Sequence, residues 1–204
     1  MNALLTQSYS RGPTDTPLIE QTIGDFFDAM VERQPEREAL VSRHEDRRLT
    51  YRQLHKEANR LASALLRLGL APGDRVGIWS HNNVPWVLLQ IATAKTGLIL
   101  VNINPAYRVA ELEYALNKVD CKVLVTMPRF KTSNYLNILR ELAPELERAR
   151  PGALAAQRLP HLRIVVWLDQ PGHGGNEPGT IRFSDLMASG DPQDARLAQI
   201  QRAL

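Results

Sequence analysis

The chain has 204 residues, of which 44% are hydrophobic and 23% charged, so it can form a buried core without disulfides or structural metals. Its 12 glycines and 13 prolines are close to ordinary usage, which excludes collagen-like and low-complexity chains. The net charge is only +3 and no run of five like charges occurs, so we expect no nucleic-acid partner. Composition therefore predicts one ordinary globular unit.

The single cysteine, Cys121, excludes an intrachain disulfide and a cysteine-based metal site. We expect a reducing, cytoplasmic location on that basis. Residues 1–17 lack the basic start and the apolar core of a secretory signal, so none is expected. The longest uncharged stretch, Val76 to Ala94, is interrupted by Ser80 to Pro85, which predicts a strand, a loop and a helix rather than a membrane span.

The first predicted helix begins after Thr22, which can cap it together with Asp25 at the third helical position. The apolar residues of this helix recur at helical spacing and form a stripe that requires a packing partner. They are Ile23, Phe26, Phe27, Met30 and Val31. A short β-hairpin is predicted next, with strands at Glu38 to Ser42 and Arg47 to Tyr51.

A second capping box, Thr50 with Gln53, predicts a helix that ends near Gly69. Strands then alternate with helices, which predicts a parallel sheet with right-handed crossovers. The predicted strands are 75–80, 98–102, 122–126 and 162–168, and the predicted helices are 84–96, 109–118 and 134–142. The predicted fold class is therefore α/β, a parallel sheet flanked by helices on both faces and preceded by a helix and a short hairpin.

Three further segments complete the chain. Pro144 to Pro160 is rich in Glu, Arg and Ala, and we expect it to be solvated. Residues 171–179 form a loop by composition. A last helix is predicted from Asp194, because Leu197, Ile200 and Leu204 fall at helical spacing. The chain stops without a glycine cap or a polar tail, so we expect it to be truncated at Leu204, although a helix at a natural terminus would look the same.

Candidate binding residues follow the predicted strands, because ligands of open parallel sheets favour the crevice outside the carboxyl ends of the strands. His81, Asn104 and Tyr107 lie at such ends and carry hydrogen-bonding groups that can face a ligand. A purely structural interpretation is open for the same region. In it, Asn82 or Asn83 caps a helix, Asn104 forms a turn with the proline that follows, and Tyr107 packs against the core.

No catalytic or metal-binding residue emerges from the motifs. The glycine-rich segment 172–175 is not followed by Lys-Ser or Lys-Thr, and Pro178 interrupts any helix there, so we expect a plain loop. Lys95 and Thr96 form such a pair but lack the glycines upstream. No G-x-G-x-x-G follows a strand, no G-x-S-x-G surrounds a serine, and no two histidines fall at i, i+4.

Several segments nevertheless resemble the adenylate-forming (AMP-binding) enzymes. The opening of that family is similar to Leu49 to Leu54 and Gly69 to Ile78. Its fatty-acyl-CoA ligase branch is similar to four more segments, which are Asn82 to Val87, Gly97 to Val101, Asn102 to Arg108 and Glu111 to Tyr114. The resemblance spans residues 20–204 and is weakest at 145–180. The common order and spacing of the segments argue against a chance match.

This resemblance implies a function for the whole enzyme. The family joins a carboxylic acid to ATP, releases diphosphate, and transfers the acyl group from the adenylate to coenzyme A. ATP, Mg²⁺ and coenzyme A are thereby implied as cofactors of a full-length enzyme, with a fatty acid as substrate. Charge that builds up at phosphorus must be offset by a metal ion, a lysine and backbone N–H groups.

The family supplies those groups from a Ser/Thr/Gly-rich loop ending in Pro-Lys-Gly, an acidic ribose ligand and a lysine on a mobile carboxy-terminal domain. None of these occurs in the 204 residues. We therefore expect residues 1–19 to be an amino-terminal extension and residues 20–204 to be an incomplete amino-terminal part of the adenylation domain. The chain alone is expected to bind no cofactor, to be inactive, and to self-associate through exposed apolar surface.

A different class of function stays open beside this one. The chain could be a stand-alone, non-catalytic binding or interaction module that keeps the fold without the chemistry. A nicotinamide-dependent oxidoreductase shares the α/β pattern, but the glycine fingerprint after the first strand is absent.

Overall fold

A helix and a hairpin lead into the structure, which is a computed structural model that describes residues 8, 12–173, 175 and 177–204. Helix α1 spans Ile23–Arg33, and the Thr22 hydroxyl accepts the Asp25 backbone N–H at 3.1 Å, which confirms the predicted cap. Strands β1 (Glu38–Ser42) and β2 (Arg47–Thr50) form the predicted antiparallel hairpin. Most of the predicted extension, residues 1–7 and 9–11, lies outside the described residues.

Helix α2 (Tyr51–Arg67) begins with the predicted capping box. The Gln53 N–H donates to the Thr50 hydroxyl at 3.3 Å, and the Thr50 N–H donates to the Gln53 side-chain oxygen at 2.9 Å. Beyond the helix the chain turns at Gly69, whose φ of +81° lies in the left-handed region that favours glycine. The capping box at the start of α2 and the glycine just beyond its end, both predicted from the sequence, are therefore confirmed.

A parallel sheet forms the centre of the fold. Its strands are β3 (Arg75–Trp79), β4 (Ile99–Ile103), β5 (Val123–Thr126), β8 (Ile164–Trp167) and β9 (Ile181–Arg182), in the spatial order β4-β3-β5-β8-β9. A small antiparallel pair, β6 (Arg129–Phe130) and β7 (Ser133–Asn134), follows β5. Strands β5 and β8 are buried along their whole length, as is typical of parallel strands covered on both faces.

Helices cover the sheet on both faces, as predicted. The remaining helices are α3 (Val84–Thr96), α4 (Val109–Lys118), α5 (Tyr135–Leu142), α6 (Phe183–Ser189) and α7 (Ala195–Gln201), with one 3₁₀ turn at Pro144–Glu147. Helices α1, α2, α3, α6 and α7 pack on one another, whereas α4 packs on α5. The predicted last helix begins after Asp194. The Asp194 carboxylate caps it by accepting the Arg196 N–H, a contact that the sequence analysis did not predict.

Two expectations about packing were wrong or incomplete. The segment 144–160 is not simply solvated, because its apolar side chains are buried while its charged ones face solvent. These buried residues are Leu146, Leu154, Ala156 and Leu159. The predicted stripe of α1 is only partly covered, since Ile23 is 67% and Phe26 44% exposed. Strand β9 and helix α6 were not predicted, because a two-residue strand and a seven-residue helix leave little periodic signal.

Candidate functional site

A cleft of about 510 Å³ lies at the carboxyl ends of β3, β5 and β8. We call it the strand-end cleft. Its walls come from the β1–β2 turn, the loop before α3, and the segments that follow β5 and β8. Its lining residues include His44, Glu45, His81, Asn83, Met127 and Gln170. The cleft therefore occupies the position that open parallel sheets favour for ligands.

His81 enters this cleft just after β3, as predicted. Its ring stacks on Phe130 with centroids 4.9 Å apart, and lies 5.6 Å from the His44 ring. Its Nδ1 is 3.0 Å from the Met127 sulfur. Burial lowers the pKa of His81 below its ordinary value, His44 lowers it further, and Glu45 partly offsets this. The imidazole is thereby biased towards its neutral form, which can both donate and accept a hydrogen bond.

Glu45 fixes the hairpin over the cleft. Its carboxylate accepts the Ser42 hydroxyl at 2.6 Å and the Val84 backbone N–H at 2.8 Å. Val84 is the first residue of α3, so the carboxylate sits at the positive end of that helix. The cap of α3 is completed by Asn83, whose side chain accepts the Trp86 N–H at 2.9 Å. The hydrogen bonds of Glu45 and Asn83 thus fix the hairpin turn and the start of α3, which together form one wall of the cleft.

Asn104 and Tyr107 lie apart from the strand-end cleft and do not line it. The Asn104 side-chain oxygen accepts the Ala106 N–H at 2.9 Å, and its carbonyl accepts the Tyr107 N–H at 3.0 Å. The same carbonyl accepts the Trp79 indole N–H at 3.1 Å. These contacts are those of a turn. A ligand-binding role for the two side chains stays a prediction.

Sequence reasoning missed the contribution of the segment after β8. Gln170 lines the strand-end cleft, and its side-chain oxygen is buried without a hydrogen-bond partner among the described residues. Asp169 is held in place by Arg182 and by the Ser184 N–H, which donates to it at 2.9 Å. An unpaired buried acceptor is costly, and a ligand or a water molecule with a donor group satisfies it. No local sequence signal marks this glutamine, because its burial arises from the tertiary fold.

Lys95 lies in the helical layer, away from the strand-end cleft, and is 2% exposed. Its ammonium donates to the two Asp28 oxygens at 2.6 and 2.8 Å and lies 3.2 Å from His55 Nε2. Gln201 donates to the same carboxylate at 2.9 Å. We call these four residues the Lys95 cluster. Lys95 of the Lys-Thr pair is therefore engaged in an internal ion pair. The Thr96 hydroxyl donates to the Ala92 carbonyl of its own helix at 2.8 Å.

Among the described residues, no three His, Cys, Asp or Glu side chains come together as a metal-ligand set. None of the helices in the described part of the chain is long and apolar enough to cross a membrane. Gly172 turns the chain with a φ of +78° in the predicted loop, whereas residues 174 and 176 lie outside the described part.

Comparisons with known proteins show which family the sequence matches. The sequence matches the AMP-binding enzyme family over residues 27–196. It is 48% identical over 194 residues to the protein named medium-chain acyl-CoA ligase ACSF2, mitochondrial, of Rattus norvegicus. The matched segment covers 95% of this chain and 31% of that relative. The chain thus spans about a third of the length of the curated relatives that it matches.

Solved structures share the fold. The anthranilate CoA ligase AuaEII, solved with anthranoyl-AMP, has a TM-score of 0.68 and 26% identity, and the match covers 88% of this chain and 30% of that protein. The N-terminal domain of FACL13 from Mycobacterium tuberculosis has a TM-score of 0.61 and 23% identity, covering 84% of this chain and 37% of that one. At 23% identity, the similarity to FACL13 shows a shared fold and nothing about function.

Proposed function

Because the chain belongs to the AMP-binding enzyme family, we propose that it forms the amino-terminal part of the adenylating domain of an ATP-dependent fatty-acyl-CoA ligase. In the proposed reaction a carboxylate oxygen of the fatty acid attacks the α-phosphorus of ATP and diphosphate leaves. The sulfur of coenzyme A then attacks the acyl carbon, AMP leaves and the thiol proton is released. The family match over residues 27–196 is the observation that carries the proposal.

The proposed role of this chain is to supply one wall of the site. The strand-end cleft offers the His81 ring, which is held by stacking on Phe130, beside the polar side chains of Asn83 and Gln170. The sequence lacks a Ser/Thr/Gly-rich loop ending in Pro-Lys-Gly, so the groups that hold ATP phosphates and Mg²⁺ would have to come from elsewhere. The chain alone should therefore not catalyse adenylation.

The first experiment measures acid-dependent exchange between ATP and diphosphate, with octanoate as the acid because the rat relative is named a medium-chain ligase. We expect no exchange above background from the 204-residue chain, and robust exchange from the rat relative assayed in parallel. Measurable exchange by the chain alone would contradict the proposed inactivity.

The second experiment asks whether the chain can serve a ligase. The 194 matched residues of the rat relative are replaced by this chain, and acyl-CoA formation is measured. We expect thioester formation to be retained, because this segment would supply an equivalent wall. A folded chimera without activity would favour the non-catalytic module instead.

Variants of that chimera test the predicted binding residues. His81→Ala should raise the KM for the acid or lower kcat, since it removes a wall of the strand-end cleft. His161→Ala is the matched control, because His161 is exposed beside Asp120 at the opposite end of the strands. Asn104→Ala and Tyr107→Phe complete the series. If all four variants behave like the parent chimera, none of the three predicted residues contributes to binding.

The proposed location of the protein is the cytoplasm, on the evidence of its single cysteine. The rat relative carries the word mitochondrial in its name. Fractionation of cells that produce the protein, with detection by an antibody against this chain, distinguishes the two compartments.

A further inference from the structure

The contacts of His81 indicate which of its ring nitrogens carries the proton. A thioether sulfur accepts hydrogen bonds and has no proton to donate, so a ring nitrogen that bonds to it is the protonated one. Nδ1 of His81 makes such a contact with Met127 at 3.0 Å. The Ser80 hydroxyl lies 3.5 Å from the same sulfur, but its one proton has a closer acceptor in the His81 carbonyl at 2.9 Å. Met127 thus favours the neutral imidazole with its proton on Nδ1.

The strand-end cleft then contains two hydrogen-bond acceptors without donors. The His81 ring contacts the Phe130 and His44 rings and the Met127 sulfur, and no described residue donates to its unprotonated Nε2. The second acceptor is the buried Oε1 of Gln170, which has no partner in the described part of the chain. Rotation of this amide towards the cavity lets the oxygen meet a donor there, which removes the cost of leaving it unpaired.

The charged side chains of the cleft are already engaged by the protein. The carboxylates of Glu45 and Asp169 accept hydrogen bonds from it, and the Arg47 guanidinium donates to Glu57 at 2.8 Å. An anionic ligand would have to lie beside the two carboxylates, with the arginine already paired, which is unfavourable. The cleft is therefore suited to an uncharged group that brings its own N–H or O–H donors.

We propose that the strand-end cleft binds an uncharged group with N–H or O–H donors, which His81 Nε2 and Gln170 Oε1 accept, and that Met127 is the positioning residue that keeps Nε2 unprotonated. The choice of ligand among the substrates rests on the proposed function. The acid and the phosphates of that reaction are anionic. Its uncharged donors are the amides of the pantetheine arm of coenzyme A and the amino group and hydroxyls of adenosine, so these are the two possible sources.

Nitrogen NMR of the imidazoles in the full chain tests the tautomer without a ligand. Protonated and unprotonated ring nitrogens resonate at well-separated frequencies, and at about pH 8 an ordinary histidine is neutral. We expect the His81 proton on Nδ1. Met127→Leu removes the acceptor and keeps an apolar side chain, so a large part of the protons should move to Nε2. Met187→Leu is the matched control, because Met187 lies on α6 and does not line the cleft.

Pantetheine and adenosine are the two probes of binding, each titrated into the labelled chain, with octanoate and inorganic diphosphate as anionic comparisons. We expect an uncharged probe to shift the His81 Nε2 resonance with a dissociation constant on the order of millimolar, because a fragment buries little surface. The anions should bind more weakly. The uncharged probe that binds more tightly identifies the source.

Gln170→Met separates a binding role from a structural one. It should weaken binding of that probe roughly three- to tenfold, since one hydrogen bond is lost. It should also raise the Tm of the free chain by about 2–4 °C, because an unpaired buried acceptor is removed. Gln157→Met is the matched control, since Gln157 is exposed and does not line the cleft, and it should change neither value.

Three results would each overturn the proposal. They are a His81 proton on Nε2 in the unaltered chain, no shift with either uncharged probe or a stronger one with the anions, and a Gln170→Met chain with a lower Tm. The first two use the unaltered chain, so they stay decisive if a variant does not fold. None of these measurements needs catalysis. An inactive chimera would therefore contradict the proposed function and leave the chemistry of the cleft intact.

Discussion

The Lys95 cluster and the strand-end cleft both bring polar and ionisable side chains together. They differ in whether those side chains find hydrogen-bond partners within the protein. In the Lys95 cluster the Lys95 ammonium and the Gln201 amide both donate to the Asp28 carboxylate, and Lys95 is 2% exposed. In the strand-end cleft, the Gln170 oxygen has no hydrogen-bond partner among the described residues, and the His44 and His81 rings lie 5.6 Å apart at an angle of 51°. Side chains that hydrogen-bond to one another hold secondary-structure elements together. A side chain without a hydrogen-bond partner beside a cavity is instead available to a ligand.

The elements that carry each group reinforce this difference. Asp28 lies on α1, His55 on α2, Lys95 on α3 and Gln201 on α7, so the Lys95 cluster joins four helices. His44 and His81 instead lie in loops, at the β1–β2 turn and after β3. Functional groups are commonly carried by loops on a rigid scaffold. We therefore expect the cluster to govern stability and the cleft to govern binding, and the following predictions test that division.

The largest expected effect follows from removing the buried cation. Lys95→Met leaves the Asp28 carboxylate without its ammonium, and we expect the free energy of unfolding to fall by about 3 kcal/mol. Urea denaturation measures this. Lys122→Met is the matched control, because its ion pair with Asp74 is 40% exposed on the lysine side and should be worth less than about 1 kcal/mol.

A double variant sharpens that result. Lys95→Met combined with Asp28→Leu removes both charges, so it should be more stable than Lys95→Met alone. Equal losses for Lys95→Met and Lys122→Met would show that the Lys95 cluster does not hold the helices together.

A smaller effect is expected from acid. Burial alone would raise the pKa of Asp28, but hydrogen bonds from His55, Lys95 and Gln201 outweigh it and hold the pKa at about 2, against an ordinary value of 3.8. A carboxylate whose pKa is lowered by folding stabilises the fold above its ordinary pKa and loses that contribution as the pH falls through the folded value. The stabilisation by Asp28 is therefore complete above pH 4 and should fall by about 2 kcal/mol towards pH 2.

Unfolding free energies of the chain and of Asp28→Asn, measured side by side from pH 6 to pH 2, isolate this contribution. The difference between the two proteins should shrink as the pH falls through this window. A difference that does not change with pH would mean that the Asp28 carboxylate titrates normally in the folded chain.

The two regions also differ in how far the sequence predicts them. Thr22 and Thr50 mark helix starts by local chemistry, and the structure confirms both. The helix after Asp194 was predicted from the helical spacing of its apolar residues, and it is also present. The position of the strand-end cleft follows from the alternation of strands and helices, so His81 could be placed at a strand end without a structure. Local patterns and topology were sufficient for these features.

Long-range contacts explain what was missed. Asp28 and Lys95 are 67 positions apart, and nothing near either residue indicates the pairing. Glu45 in the hairpin turn reaches the start of α3 across 39 positions. The leucines of 144–160 are spaced irregularly among charged residues, so they carry no helical or strand period that would indicate their burial. Such features depend on how the elements pack, which composition and periodicity do not determine.

The smallest expected effect concerns the protonation of His81 in the strand-end cleft. Because burial and His44 both lower its pKa, His81 should titrate below the ordinary value of 6.5. A histidine whose pKa is lowered by folding costs stability as the pH falls from 6.5 through the folded value, because the unfolded chain binds the proton more tightly.

NMR of the imidazole C–H resonances measures the pKa directly. His44→Ala should raise the His81 pKa towards 6.5, since it removes the neighbouring imidazole that lowers this pKa and admits water, whereas His161→Ala should leave it unchanged. If His81 titrates at or above 6.5 and is insensitive to His44→Ala, then the two imidazoles do not share a cleft, and the contrast with the Lys95 cluster fails at this residue.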